Sequence, residues 1–366
     1  MIEYDVYHSF ESRWWYNKKR ERGVMGMKGN CQTTAMGILP HKDIDKAMEI
    51  AFNVDIPFWP QLPHVNFYED MYVQVTENFP GITVDDVNYK IIFDTNRFYE
   101  ELPNYVENYD NDDFYRIAGK YSAVYHTFLN DPRLRDYPVI RGQSIGPVSF
   151  GLKIADENKK PIIYNDEARG FLYEFLAKKI NVQRRELADI NPNSFVWIDE
   201  PGLSFIFGSF TGYPAEVAKN DYREFLAQLE GPKGVHLCGN PDWSFLLELD
   251  LDILSIDVLT NGQIFIKYID QIKEFLDRGG IISWGIVPTL TEEFVQESIT
   301  TLIQKLEEMW DYLDARGIPK KQVLSQAWIA PARCCLVNMD GNDTVEKAFN
   351  FLNEVSRQLR EKYNLD

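Results

Sequence analysis

An alternation of short apolar runs and amphipathic segments constrains the fold of this chain more than any other feature. Apolar, β-branched runs that read as strands lie near 31–38, 55–61, 138–150, 194–199, 233–238, 252–257, 280–286 and 323–329. Helical spacing of apolar residues marks Asn165 to Ile190, Glu216 to Leu229, Phe265 to Leu276, Glu292 to Leu313 and Thr344 to Leu359. Repeated strand–helix–strand connections make neighbouring strands parallel. Eight strands in that arrangement point to the α/β class and a (β/α)8 TIM barrel rather than an open sheet. Runs such as Gly280-Ile281-Ile282-Ser283-Trp284 are apolar on both faces, as strands covered on both sides must be.

Two regions fall outside the alternation. Residues 1–30 carry Arg13-Trp14-Trp15-Tyr16 and a Gly-rich exit at Gly23, Gly26 and Gly29, and read as an N-terminal extension. Residues 80–137 follow the second strand and are too long for a simple crossover. They mix a strand-like run, Val87 to Phe93, with a helix-like run, Phe114 to Leu129. The expected organisation is a single barrel domain over 31–366 with one large insertion at about 80–137.

Charge and composition narrow the function. The net charge of −18 and the lack of a long basic block argue against nucleic acid and anionic membranes as partners. The charged start, Met1-Ile2-Glu3-Tyr4-Asp5, lacks the apolar stretch of a signal peptide. No run of about 18 apolar residues is present to span a bilayer. The 4 Cys in 366 residues do not suggest a disulfide framework and fit a reducing cytoplasm with metal or thiol chemistry.

The chemistry centres on His236-Leu237-Cys238-Gly239-Asn240, at the end of the fifth strand. Side chains at i and i+2 of a strand share a face, so His236 and Cys238 can hold one ion together. An imidazole beside a soft thiolate suits zinc better than magnesium or calcium. Active-site groups of a barrel gather at the carboxyl ends of its strands. There the sixth strand offers Asp257, and the eighth runs into Arg333-Cys334-Cys335-Leu336. A site of His236, Cys238, Cys334 and a weaker fourth ligand, Asp257, follows. The imidazole and two thiolates leave one position, for a substrate or for that weak carboxylate, as catalytic rather than structural zinc requires. Adjacent side chains diverge, so one of Cys334 and Cys335 binds. A strand cysteine or histidine is by default a buried core residue, and Cys31 reads as such a thiol. Asp199 and Glu200 end the fourth strand beside this rim, either as catalytic groups or as a cap or ion pair. Trp59 and Gln61, after the second strand, would line the same mouth for a cofactor, with an aromatic plug as the plainer role of Trp59.

Several of these stretches together resemble the catalytic barrel of cobalamin-independent methionine synthase and its relatives. Those are the corrinoid-dependent zinc methyltransferases and the uroporphyrinogen-decarboxylase-like barrels. Val196-Trp197-Ile198-Asp199-Glu200-Pro201-Gly202-Leu203 is similar to the family's I-D-E-P-x-L strand end. Thr33-Thr34-Ala35-Met36-Gly37-Ile38-Leu39-Pro40 resembles its T-T-x-x-G-x-x-P, and Gly146-Pro147-Val148-Ser149 its G-P-V-T. His236-Leu237-Cys238 matches the H-x-C zinc pair. Cys334-Cys335-Leu336 lies where the family has C-G-L, which makes Cys334 the ligand, and Asp257 lies where the synthase has a zinc-binding Glu.

The resemblance implies a cytoplasmic zinc-dependent S-methyltransferase that activates a thiol acceptor as a zinc thiolate. The acceptor would be homocysteine, as in methionine biosynthesis, or a related thiol. The donor would be methylcobalamin or another methylcorrinoid, free or on a corrinoid protein. The alternatives are transfer to another thiol of the coenzyme M kind, or a non-catalytic zinc-stabilised partner of a corrinoid protein. Porphyrinogen decarboxylation fits less well, because it needs no His/Cys zinc site. Two departures bear on the acceptor. Ile38 stands where the synthase has Ser, and Val65 where it has an amine-binding Glu. Asp199 remains to bind a cationic group on the acceptor.

Overall fold

The computed structural model describes residues 27–206 and 212–365. Its core is a curled seven-stranded sheet: β1 (Gln32–Thr33), β4 (Ile140–Ile145), β5 (Ser194–Asp199), β6 (Lys233–Leu237), β7 (Ile253–Asp257), β8 (Ile281–Val287) and β9 (Ala327–Pro331). A separate antiparallel hairpin pairs β2 (Ile82–Asp85) with β3 (Lys90–Phe93). The strand order is β1-β9-β8-β7-β6-β5-β4, and every pair in it is parallel. All carboxyl ends of the large sheet therefore share one edge.

The seven-stranded ladder does not close on itself. The expected second strand, 55–61, contributes isolated parallel bridges in its place, Phe58 to Arg141 of β4 and Ile38 to Gln61. Ile56 N–H donates to Thr33 O at 3.0 Å, and Arg141 N–H donates to Pro57 O at 3.1 Å, so this one segment touches both edges of the sheet. Its sequence, Asp55-Ile56-Pro57-Phe58-Trp59-Pro60-Gln61, explains the broken ladder. Pro57 and Pro60 have no N–H to give, and proline interrupts pairing inside a sheet.

Other boundaries move for local reasons. The run expected at 138–150 is strand only to Ile145, because Gly146-Pro147 opens a helix, Pro147–Lys153, with proline at its first position. The last strand begins at Ala327 rather than 323, since Lys320–Ser325 is helical. The stretch Phe265 to Leu276 is two helices, Val258–Phe265 and Ile269–Asp277. Glu292 to Leu313 also divides, and Ser298 starts the second piece, Ile299–Asp314, through a capping box with Thr301. Only Tyr125–Leu129 of the helix expected over 114–129 is α-helical. Within 80–137, the helix Thr95–Glu107 instead packs aromatics on the long helix Asp166–Ile190. Phe98 and Tyr105 both meet Phe171, with ring centroids 5.3 and 4.6 Å apart. Most of the expected extension, including Arg13-Trp14-Trp15-Tyr16, lies outside the described residues.

Two layers of apolar packing result. The larger lies between sheet and helices. A smaller cluster fills the concave side of the sheet: Ile56, Val139, Phe195, Trp197, Ile253, Ile281 and Trp328. Along each strand this concave face changes character, because alternate residues share a face. It runs Phe195, Trp197, Asp199 on β5, then Ile253, Ser255, Asp257 on β7, and Ile281, Ser283, Gly285 on β8. The apolar floor gives way to polar groups at the carboxyl edge. No helix among the described residues is long and apolar enough to cross a membrane.

Candidate active site at the carboxyl edge of the sheet

Strand register brings the expected residues to one rim. Asp199, His236, Ser255 and Ser283 are successive partners across β5, β6, β7 and β8. Asp257 sits two residues beyond Ser255, and Cys238 two beyond His236. Cys334 follows the end of β9.

His236 is buried, and its Nδ1 lies 3.0 Å from the hydroxyl of Ser255. That contact orients the ring and leaves Nε2 for another partner, as an oriented metal-binding imidazole would need. Burial, with the charge of Arg141 adding to it, lowers His236 to about 3, so the imidazole is neutral. Cys238 is exposed, yet enough protein crowds its thiol that desolvation raises it, with Asp199 and Asp257 adding to the rise. The Cys334 thiol is pushed up to about 12 by burial first, then by Asp199 and Cys238. Cys238, Cys334 and Asp199 are thus near enough to act on one another electrostatically. Cys335 is buried, and its Sγ lies 3.3 Å from Val337 O.

Donor chemistry at this rim suits zinc: a neutral imidazole and two thiols. As they stand, no three His, Cys, Asp or Glu side chains among the described residues are grouped closely enough to hold an ion. Asp257 is engaged elsewhere. Its Oδ1 accepts from Thr260 N–H at 2.9 Å, capping the helix Val258–Phe265. Its Oδ2 is 2.9 Å from the guanidinium of Arg333, which also bonds the Thr260 hydroxyl at 2.7 Å. Oδ2 lacks a hydrogen bond of good geometry in this arrangement. It is therefore the atom that could turn to a cation if Arg333 moved.

Asp199 and Glu200 are adjacent but have different surroundings. Asp199 is 7% exposed, and its carboxyl has no hydrogen-bond or ion-pair partner among the described residues. Burial alone raises its carboxyl to about 7. It can hold a proton near neutrality or receive a cationic group. Glu200 is fully buried and accepts three hydrogen bonds, from Val148 N–H at 3.1 Å, Ser149 N–H at 2.8 Å and the Ser149 hydroxyl at 2.6 Å. It thus satisfies the N-terminus of the helix Pro147–Lys153, whose own N-cap, Gly146, has no side chain to do so. Burial still outweighs those bonds and lifts Glu200 to about 8. A Cβ on Gly146 would lie 2.1 Å from the Glu200 carboxylate, so glycine here makes room for it.

Trp59 and Gln61 are turned into the protein. Trp59 is fully buried, its ring 5.1 Å from that of Tyr125 and its Nε1–H donating to Gln183 at 3.3 Å. Gln61 is 1% exposed and donates to Gln74 at 2.5 Å. Both lie within packed protein. Ile38 shares a small pocket with Arg333, Cys334 and Cys335, so its apolar side chain does border the thiols.

Two residues that the motif reading did not place in the site belong beside it. Tyr72 faces the rim, its phenol raised by burial first and then by Asp199, Glu200, Asp70 and Cys238. Asp70-Met71 marks its position in the sequence, and Asp70 caps the short helix that carries it, accepting from Tyr72 N–H at 2.8 Å. Arg141, on β4, is 1% exposed on the concave side. It is treated further below.

No protein-family profile matches the chain, and no curated protein matches it. Among solved structures, a methyltransferase from Methanosarcina mazei is similar over 89% of this chain and 94% of its own, with 14% identity and a TM-score of 0.50. A B12-independent methionine synthase from Shewanella sp. W3-18-1, in complex with selenomethionine, is similar over 64% of this chain and 67% of its own, with 15% identity and a TM-score of 0.43. The chain shares its fold with the Methanosarcina protein.

Proposed function

We propose that the chain is a zinc-dependent S-methyltransferase that passes a methyl group from a methylcorrinoid to a small thiol. The carrying observation is the convergence of His236, Cys238, Cys334 and an unpartnered, buried Asp199 on the carboxyl edge of one parallel sheet. The fold shared with a methyltransferase agrees with it. In this reading His236, Cys238 and Cys334 would hold zinc, which would supply the positive charge that makes a thiol acidic at neutral pH. Ser255 keeps His236 in the required tautomer. Arg333 pairs with Asp257, which would leave the acceptor sulfur to complete the set of zinc donors. Asp199 receives a cationic group of the acceptor or the proton that its thiol gives up. A methylcorrinoid, when bound, would supply the electrophilic methyl group for the acceptor sulfur. The protein's work in such an in-line displacement is mainly positioning.

The test is a side-by-side assay of the purified chain with one thiol and two donors, methylcobalamin and methyltetrahydrofolate. Thiol methylation from the corrinoid, lost on metal chelation and restored by zinc, is the expected result. Turnover with the folate alone would refute the donor assignment, and no turnover with either would refute the enzyme.

A further inference from the structure

The mechanism above makes no use of Arg141. Its guanidinium is buried between the rings of Phe58 and Trp197, 4.8 and 4.7 Å from their centroids. Nε donates to the Thr34 hydroxyl at 3.0 Å, and Nη1 donates to Gln143 Oε1 at 3.0 Å and to Gly142 O at 3.3 Å. All of these partners are neutral, and among the described residues no carboxylate forms an ion pair with Arg141. Nη2 is buried without any hydrogen-bond partner. Removing one guanidinium from water without a counter-charge costs several kcal/mol.

Other unsatisfied groups accompany it on the concave face. The indole N–H of Trp197 and the hydroxyl of Ser283 are buried and unpartnered too. The Trp197 ring lies 6.1 Å from that of His236, and Ser283 is the register neighbour of Ser255, which bonds His236. The three groups can all donate, and two of them can do nothing else. Arg141 lies against the Trp197 ring, which neighbours His236, and Ser283 follows in register beyond Ser255. An acceptor-rich, negatively charged group satisfies such a set, and a carboxylate does so with two oxygens.

We propose that Arg141 is an oxyanion-binding residue that takes an acidic group of the thiol acceptor, with Trp197 and Ser283 as auxiliary donors. This rests on the thiol-methyltransferase reading for the identity of the ligand, not for the existence of the site. The acceptor is then an acidic thiol whose sulfur lies at the rim and whose carboxylate, or similar oxyanion, points inward along the concave face.

Calorimetric titration of the full-length protein with a matched pair tests it. The pair is 3-mercaptopropionate and 3-mercapto-1-propanol, which differ only in the terminal group. The acid should bind about tenfold more tightly, the worth of one charge-assisted hydrogen-bond pair. Arg141→Met should reduce that preference to under about twofold, and Arg141→Lys should keep part of it. Should Arg141→Met fail to fold, Trp197→Phe removes one donor while keeping the ring, and should weaken the preference by a few-fold. Equal affinity of the two thiols for the native protein overturns the proposal and leaves the thiol reading intact. If neither thiol binds but propionate binds native protein and not Arg141→Met, the oxyanion site stands and the thiol reading falls. Arg141-dependent binding of inorganic phosphate that neither acid displaces overturns the assignment to the acceptor.

Discussion

Replacing Glu200 separates an architectural carboxyl from a catalytic one. Its two oxygens serve Val148 N–H, Ser149 N–H and the Ser149 hydroxyl in a fully buried setting. Glu200→Ala leaves two backbone N–H groups buried without acceptors. Each costs about 1–3 kcal/mol, so the variant should lose about 2–6 kcal/mol of folding stability. That is a large share of the roughly 5–15 kcal/mol that holds a typical domain together. Glu200→Gln keeps one acceptor oxygen but turns an amide NH2 toward one of the two backbone donors, and should lose about 1–3 kcal/mol. Urea unfolding followed by circular dichroism measures both. The order Ala worse than Gln, with an unchanged m-value, supports the anchoring role. A Glu200→Ala variant within about 0.5 kcal/mol of the native protein would refute it. If Glu200→Ala folded fully and yet lost all turnover, Glu200 would be part of the chemistry rather than its scaffold.

Three further outcomes are expected. Gly146→Ala pushes a methyl group into the Glu200 carboxylate, 2.1 Å from its ideal Cβ, and should destabilise by about 1–3 kcal/mol in the same urea assay. Asp199→Asn should stabilise metal-free protein at pH 8, by about 4 kcal/mol at most, and do almost nothing at pH 4. The raised folded-state value, about 7 against 3.8, means native Asp199 binds a proton that the unfolded chain has released, so stability falls as pH rises through that window. Cys238→Ser or Cys334→Ser should largely abolish binding of about one zinc per chain, while Cys335→Ser should keep it, as elemental analysis after dialysis will show.

The sequence carried the parallel α/β class and the rim of the site because both rest on short-range rules. Alternation of side chains along a strand put His236 and Cys238 on one face and Asp199 on the concave side, without reference to the rest of the fold. The continuity of the sheet depended on longer-range facts. Pro57 and Pro60 were visible in the sequence, but a proline-bearing run that touches both sheet edges by single bridges reads locally as a strand. Arg333 and Asp257 show the same limit. An aspartate ending a strand reads as a ligand until the cation beside it is located, and that cation comes from a segment 76 residues away in sequence. The helix Thr95–Glu107 was obscured for another reason. Its apolar positions are mostly aromatic, and Pro103 lies inside it, so neither composition nor punctuation signals a helix. Tyr72 was missed because a capping aspartate before a short helix says nothing about which way the next tyrosine faces.

The adjacent carboxyls at the end of β5 show how the fold divides stability from reactivity. Strand alternation sends Asp199 to the concave face and Glu200 to the other side, although both are buried at the same height. Glu200 meets the N-terminus of the next helix and its oxygens are fully used. Burial raises both carboxyls, Glu200 to about 8 in spite of its hydrogen bonds and Asp199 to about 7, but the Asp199 carboxyl has no partner among the described residues. Arg141 on the neighbouring strand is hydrogen-bonded to neutral groups but has no counter-charge among the described residues. Two buried ionisable groups without a counter-charge on one concave surface are unfavourable for folding by the same physics that makes them effective in binding. A ligand that brings a cationic group to Asp199 or an anionic group to Arg141 recovers that cost on binding. Selectivity for such a ligand would come from charges the fold leaves unmatched.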